Sequence, residues 1–270
     1  MASIKISDLS ILLIEPSLTQ SKVIIKHLEN EGIFRIEGVA SGDAALLELQ
    51  TYQPDLIISS LYLPDMTATD LIVRIRTIDK CQNIPFMLIS SETKLDALDP
   101  IRQAGVVAIL PKPFESQDLR RALRATLEFI DPEEVTLKNF EINTLRVLVV
   151  DDSAMARKHI IRVLSNMGIE QIVQAENGRV ALEIFSQANE AFDLIVTDYN
   201  MPEMDGQVMV DTIRHQLKNT YIPILMVTSE QNETRLNNVQ KSGVSAICDK
   251  PFEPATVKEM LFRILDEQSL

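Results

Sequence analysis

The sequence predicts an α/β protein made of two (βα)5 doubly wound parallel-sheet domains in tandem. Three observations carry this prediction. Short aliphatic runs alternate with amphipathic stretches along the whole chain. Several of those runs are continuously apolar rather than alternating, the mark of strands covered by helices on both faces. The second half also repeats the first: Ser60, Ser90 and Lys112 align with Asp198, Thr228 and Lys250 at a constant offset of 138 residues, and Glu15 aligns with Asp151 at 136.

In the first half the strand runs are ILLIE (11–15), FRIEGVA (34–40), DLIIS (55–59), FMLIS (86–90) and VVAIL (106–110). In the second they are VLVVD (147–151), QIVQA (171–175), DLIVT (193–197), ILMVT (224–228) and VSAIC (244–248). Ser17 and Ser153 are N-cap residue types, each opening an amphipathic stretch that a glycine closes, Gly32 and Gly168 respectively. These signals place one domain over 1–130, a weakly patterned acidic linker over 131–145 and a second domain over 146–270. The helical stretch 253–270 completes the fifth unit, so an output module for DNA binding or catalysis is not expected.

Composition excludes several classes. The chain is 46% hydrophobic and 24% charged, as expected of a globular protein, and no window approaches the roughly 18 apolar residues of a membrane span. Its net charge is −13, with a negative balance in each segment, so a phosphate backbone would be repelled. The N-terminus lacks a secretory pattern, and Cys81 and Cys248 have no metal-type spacing. They read as structural thiols of a cytoplasmic protein.

Ligands of an open parallel sheet sit beyond the carboxyl ends of its strands. There the second half places Asp151 and Asp152 after its first strand, Asp198 after its third, Thr228 after its fourth and Lys250 after its fifth. Three converging carboxylates repel one another, and a hard divalent cation resolves the conflict. Mg2+ is the first choice, with Mn2+ the alternative. The Lys250 ammonium and the Thr228 hydroxyl suit the oxygens of a phosphoryl group. With no histidine nucleophile in the set, a carboxylate must be the phosphoryl acceptor.

The motifs VVDDS (149–153), DLIVTDYNMPEMDG (193–206), PILMVTSE (223–230) and DKPF (249–252) resemble the receiver domain of two-component response regulators, a flavodoxin-like fold. The resemblance implies that Asp198 accepts a phosphoryl group from a phosphohistidine on a sensor kinase or phosphotransfer protein. It implies Mg2+ held by Asp152, Asp198 and the backbone carbonyl of Asn200, with Asp151 acting through water. Thr228 and Lys250 would contact the phosphoryl group. Asn200 and Glu230 occupy the positions that tune dephosphorylation and imply a short-lived phosphoform. Ile247 and Ile109 stand where receivers often carry an aromatic switch residue, so activation would be read out by loop and backbone shifts or by a different side chain.

The first half keeps the frame in DLIISSLYLPDM (55–66), PFMLISSE (85–92) and PKPF (111–114), but answers Asp151 with Glu15, Asp152 with Pro16 and Asp198 with Ser60. Ser90 and Lys112 remain. One acid gives too little charge to hold the cation, and serine forms no acyl phosphate, so this half resembles a pseudo-receiver with a docking or dimerisation role. The expected function is a phosphorelay switch that is not an enzyme in the ordinary sense and signals to a downstream protein by contact. The alternatives are a phosphate sink and, more remotely, an aspartyl phosphatase. The phosphatase reading meets an Asp-x-Asp absent from the first strand of either half.

Overall fold

The computed structural model describes residues 5–130, 141–229, 239–240, 242–252 and 254–266. The chain divides into two compact units, Met1–Pro132 and Glu133–Leu270. The acidic stretch 131–140 and Glu230 lie outside the described residues.

The first unit alternates β1 (Ser10–Ile14), α1 (Leu18–Asn30), β2 (Arg35–Val39), α2 (Gly42–Glu48), β3 (Leu56–Ser59), α3 (Ala68–Arg76), β4 (Phe86–Ser90), α4 (Leu95–Gln103), β5 (Ala108–Pro111) and α5 (Ser116–Ile130). All its strand pairs are parallel, in the order β2-β1-β3-β4-β5. The second unit contains β6 (Arg146–Val150), α6 (Ala154–Asn166), β7 (Gln171–Ala175), α7 (Gly178–Gln187), β8 (Leu194–Asp198), α8 (Gly206–Asp211), β9 (Ile224–Thr228), β10 (Ala246–Asp249) and α9 (Pro254–Leu261). Its sheet has the equivalent order, β7-β6-β8-β9-β10. Two doubly wound parallel sheets flanked by helices are thus the architecture the repeat predicted.

Burial follows position in the sheet. The inner strands β1, β3, β4, β8 and β9 are buried throughout, whereas the edge strands β2 and β7 are mostly exposed or half-buried. Helices dock where the sequence signalled. Ser17 and Ser153 accept hydrogen bonds from the backbone N–H of Gln20 and Ala156, and Gly32 and Gly168 adopt φ of 87° and 101°. Before β6 the chain makes a short 3-10 turn, Ile142–Thr144, and Leu145 is buried, so the residues just ahead of the strand pack as part of the second unit.

At the amino-terminal end of the second sheet, Arg214 is nine-tenths buried. Its guanidinium donates to the carbonyls of Asn219, Ile222 and Gly243, clamping the approach to β9 against the turn that feeds β10. Arg76, its counterpart, donates to the carbonyl of Ile84.

At the opposite end, β8 runs into a loop that Gly206 closes by donating its N–H to the Tyr199 carbonyl at 2.9 Å. A Cβ on Gly206 would stand 2.2 Å from the Asp198 carbonyl oxygen, a clash with backbone that cannot relax by rotation. The twin position holds Ala68, fully buried, so the first unit's loop leaves more room. Gly206→Ala is therefore expected to lower stability by about 1–3 kcal/mol, the range for forced overpacking, read from denaturant melts of the intact chain.

Candidate functional site

Strand register assembles the site. Val150 lies opposite Thr197 in the β6–β8 pair, so the residues following each, Asp151 and Asp198, emerge side by side at the switch point of the sheet. Asp198 pairs with Val227 and Asp249 with Thr228, which adds Thr228 and Lys250 to the same rim. All five rim residues singled out from the sequence are thereby brought together at one sheet end.

Lys250 is the centre of the cluster. Its Nζ stands 3.0 Å from Asp151 Oδ2 and 3.1 Å from Asp198 Oδ2, and all three side chains are buried. Asp151 Oδ1 accepts from the Ser153 N–H at 2.8 Å and Asp198 Oδ1 from the Tyr199 N–H at 2.8 Å. Asp198 Oδ2 is enclosed against the Lys250 ammonium, and Ser229 Oγ is buried without a hydrogen-bond partner. Thr228 is fully buried, Asp152 exposed. Asn200 is exposed in the loop after Asp198.

The carboxylates of Asp151, Asp152 and Asp198 lie within 4.8 Å of one another. Three acids around one ammonium leave an excess of negative charge. Burial pushes the Asp198 carboxyl up to about 6, with Lys250 opposing and Asp151 adding to the rise. Burial likewise raises Asp151, again against Lys250. Burial favours loss of the Lys250 proton, but its two carboxylates outweigh that and hold the ammonium charged above its ordinary range. Three clustered carboxylates, one of them exposed, and residual negative charge are the donor set that a hard divalent cation fits.

Sequence reasoning missed Arg157. Its guanidinium donates to the carbonyls of Asp151 at 2.6 Å and Asp152 at 3.4 Å, gripping the backbone of the acidic loop from one turn into α6. Only the offset could have marked it: the first unit has Ser21 there, where the acids are also lost.

The corresponding rim of the first unit is neutralised from within. The longer side chain of Glu15 reaches Lys112 Nζ at 2.8 Å and accepts from the Ser60 hydroxyl at 2.5 Å, while its other oxygen accepts from the Ser17 N–H at 3.0 Å. Lys112 also donates to Gln20 Oε1 at 2.5 Å. Burial would raise the Glu15 pKa, but the hydrogen bonds from Lys112, Ser60 and Ser17 hold it below the usual carboxylate value. Ser90 is buried and accepts from the Glu92 N–H, and Pro16 offers no ligand. Tyr62 and Glu92, counterparts of Asn200 and Glu230, touch at 3.5 Å across this rim. Cys81 and Cys248 are buried and form no disulfide.

Comparison with known proteins accords with this geometry. The model of the response regulator receiver domain matches twice, over residues 11–124 and 147–262. The chain is 36% identical over 121 residues to a chemotaxis protein CheY homolog of Campylobacter jejuni, covering 45% of this chain and 92% of that protein. It is 38% identical over 121 residues to chemotaxis protein CheY1 of Helicobacter pylori, covering 45% of this chain and 97% of that one. Among solved structures, it is similar to chemotaxis response regulator CheY4 of Vibrio cholerae, at 35% identity and a TM-score of 0.41 over 45% of this chain and 98% of that one. A probable two-component system response regulator/GGDEF domain protein covers 97% of this chain and is itself covered in full, at 21% identity and a TM-score of 0.44.

The two rims predict opposite responses to pH. A carboxyl whose folded pKa is raised destabilises the fold above that pKa, and the penalty is relieved as pH falls from about 6 toward the ordinary value. Asp198→Asn should therefore stabilise the metal-free second unit at pH 7 by on the order of 2 kcal/mol, an advantage that shrinks on acidification to pH 5. Glu15, held low, stabilises the first unit above the ordinary carboxylate pKa and loses that contribution as pH falls through its depressed value. Melting curves of Asp198→Asn and Glu15→Gln across pH 4–8 test both signs.

Proposed function

The chain belongs to the response regulator receiver family, twice over, and from that premise we infer that its second unit is a phosphorylation switch and its first a pseudo-receiver. The observation that carries this reading is the Asp151–Asp152–Asp198 cluster closed by Lys250 at one sheet end, set against a twin rim that Glu15 and Lys112 neutralise.

Asp198 is the nucleophile. Its Oδ attacks the phosphorus of a phosphohistidine on a sensor kinase or phosphotransfer protein. The P–N bond breaks, and its electron pair leaves on the imidazole nitrogen, which takes up a proton. Attack requires the ionised acid, and a pKa of about 6 leaves the carboxylate predominant at neutral pH. Lys250, already between the two buried acids, turns to the arriving phosphoryl oxygens, and the Thr228 hydroxyl donates to another. Asp152, Asp198 and the Asn200 carbonyl would hold Mg2+, with Asp151 through water; the bound ion, for which Mn2+ could substitute, neutralises charge on the transferring group. Arg157 fixes the backbone that presents Asp151 and Asp152.

Phosphorylation adds roughly two negative charges at a buried rim. They redistribute the contacts of Lys250 and Thr228 and bias the adjoining loops, which a downstream protein reads by contact in the cytoplasm. The phosphoform is short-lived, with Asn200 and Glu230 setting its decay. The first unit takes no phosphoryl group, since Ser60 is a hydroxyl already donated to Glu15.

Incubation with acetyl phosphate and Mg2+ should label the intact chain and Ser60→Ala equally, and Asp198→Ala not at all. Label on Asp198→Ala, read by intact mass, would place the acceptor elsewhere. Arg157→Ala should weaken Mg2+ binding by about tenfold in calorimetry, as loss of a positioning contact does, while Ser21→Ala in the twin changes nothing.

A further inference from the structure

The first unit keeps the lysine of the rim but lacks one of the two carboxylates that its twin sets against that lysine. Lys250 meets both Asp151 and Asp198, at 3.0 and 3.1 Å. Lys112 meets one acid, Glu15, at 2.8 Å; its other contacts are the neutral oxygens of Gln20, at 2.5 Å, and Ser60, at 3.4 Å. Where the Asp198 side chain stands in the second unit, the shorter Ser60 leaves space.

That space opens into a cavity of about 590 Å3. Its polar lining includes Ser60, Ser90 and Lys112, and its apolar lining includes Val23, Ile24, Leu61, Ile89 and Phe114. The volume lies within the roughly 300–1,000 Å3 of small-molecule sites, and an apolar wall with a few convergent polar groups is their usual chemistry. Two of these apolar positions are particular to this unit: the second has His159 for Val23 and Tyr199 for Leu61.

We propose that the first unit binds a small monocarboxylate with an apolar body. The carboxylate replaces the Gln20 amide on Lys112 and accepts from the Ser90 hydroxyl, standing in for the missing aspartate, while Ser60 keeps its bond to Glu15. The body fills the cavity against Val23, Leu61 and Phe114. Lys112 is 21% exposed where Lys250 is 4%, so a second acid can join Glu15 there with less loss of hydration than the twin's buried pair suffers. A ring or short aliphatic chain matches the volume; a bare anion would leave the apolar wall in water.

The test uses the full chain and 3-phenylpropionate, followed by backbone amide NMR. Saturable shifts are expected at Ser60, Leu61, Ser90 and Phe114. Acetate, which lacks the body, and 3-phenylpropanol, which lacks the charge, should each bind at least about tenfold more weakly, the loss expected for one charged hydrogen bond or a comparable apolar contact. Val23→Asp, at an exposed helix position on the wall, should weaken the acid by about tenfold through repulsion and leave the fold intact. Lys112→Met should weaken it as well. Failure to saturate, shifts confined to Asp198 and Thr228, equal affinity for acid and alcohol, or indifference to Val23→Asp would each overturn the proposal. Labelling of Asp198 is a separate readout, so failure here leaves the phosphorylation reading standing.

Discussion

A buried ammonium between two buried carboxylates governs the second unit. Lys250 makes it possible to enclose Asp151 and Asp198 side by side, but one positive charge does not balance two buried acids and a third at the surface. Burial, with the Asp151 charge adding to it, keeps Asp198 protonated to an unusually high pH despite the ammonium. Such a rim is unstable by construction, and a cation or a phosphoryl group with its own counter-ion relieves it.

The first unit shows the other solution to the same packing problem. One acid, lengthened by a methylene, meets one lysine and one serine, and every charge is answered inside the protein. The fold is kept because the strands and helix caps do not depend on the acids: Ser17 caps α1 as Ser153 caps α6, and the strand order is equivalent in both sheets. What changes is the unmet demand at the rim, and with it the ligand that the rim can accept.

Most of the architecture was legible from aliphatic runs and caps. FMLIS, QIVQA and ILMVT coincide with β4, β7 and β9 residue for residue. VVAIL and VSAIC misplace their strands by one or two positions. Val106 and Val107 are buried before ladder pairing begins at Ala108, and apolarity reports burial rather than hydrogen bonding. The rim residues were legible because a parallel sheet sends strand ends to one place. Their partners were not: nothing in spacing reveals that Asp151 shares Lys250 with Asp198, that Gln20 completes the Lys112 contacts, or that Arg157 grips carbonyls, since each depends on rotamers set by packing.

The arginine clamp at the far end of the sheet has a bearing on how such a pair of units can diverge. Arg214 and Arg76 bind main-chain oxygens, which every amino acid supplies, so the anchorage they give is indifferent to the side chains of the loops they hold. Anchorage at one pole, made of backbone, and reactivity at the other, made of side chains, are separately heritable. A duplicated copy can therefore exchange its acids for proline and serine, drift toward a new ligand, and remain the same folded object throughout.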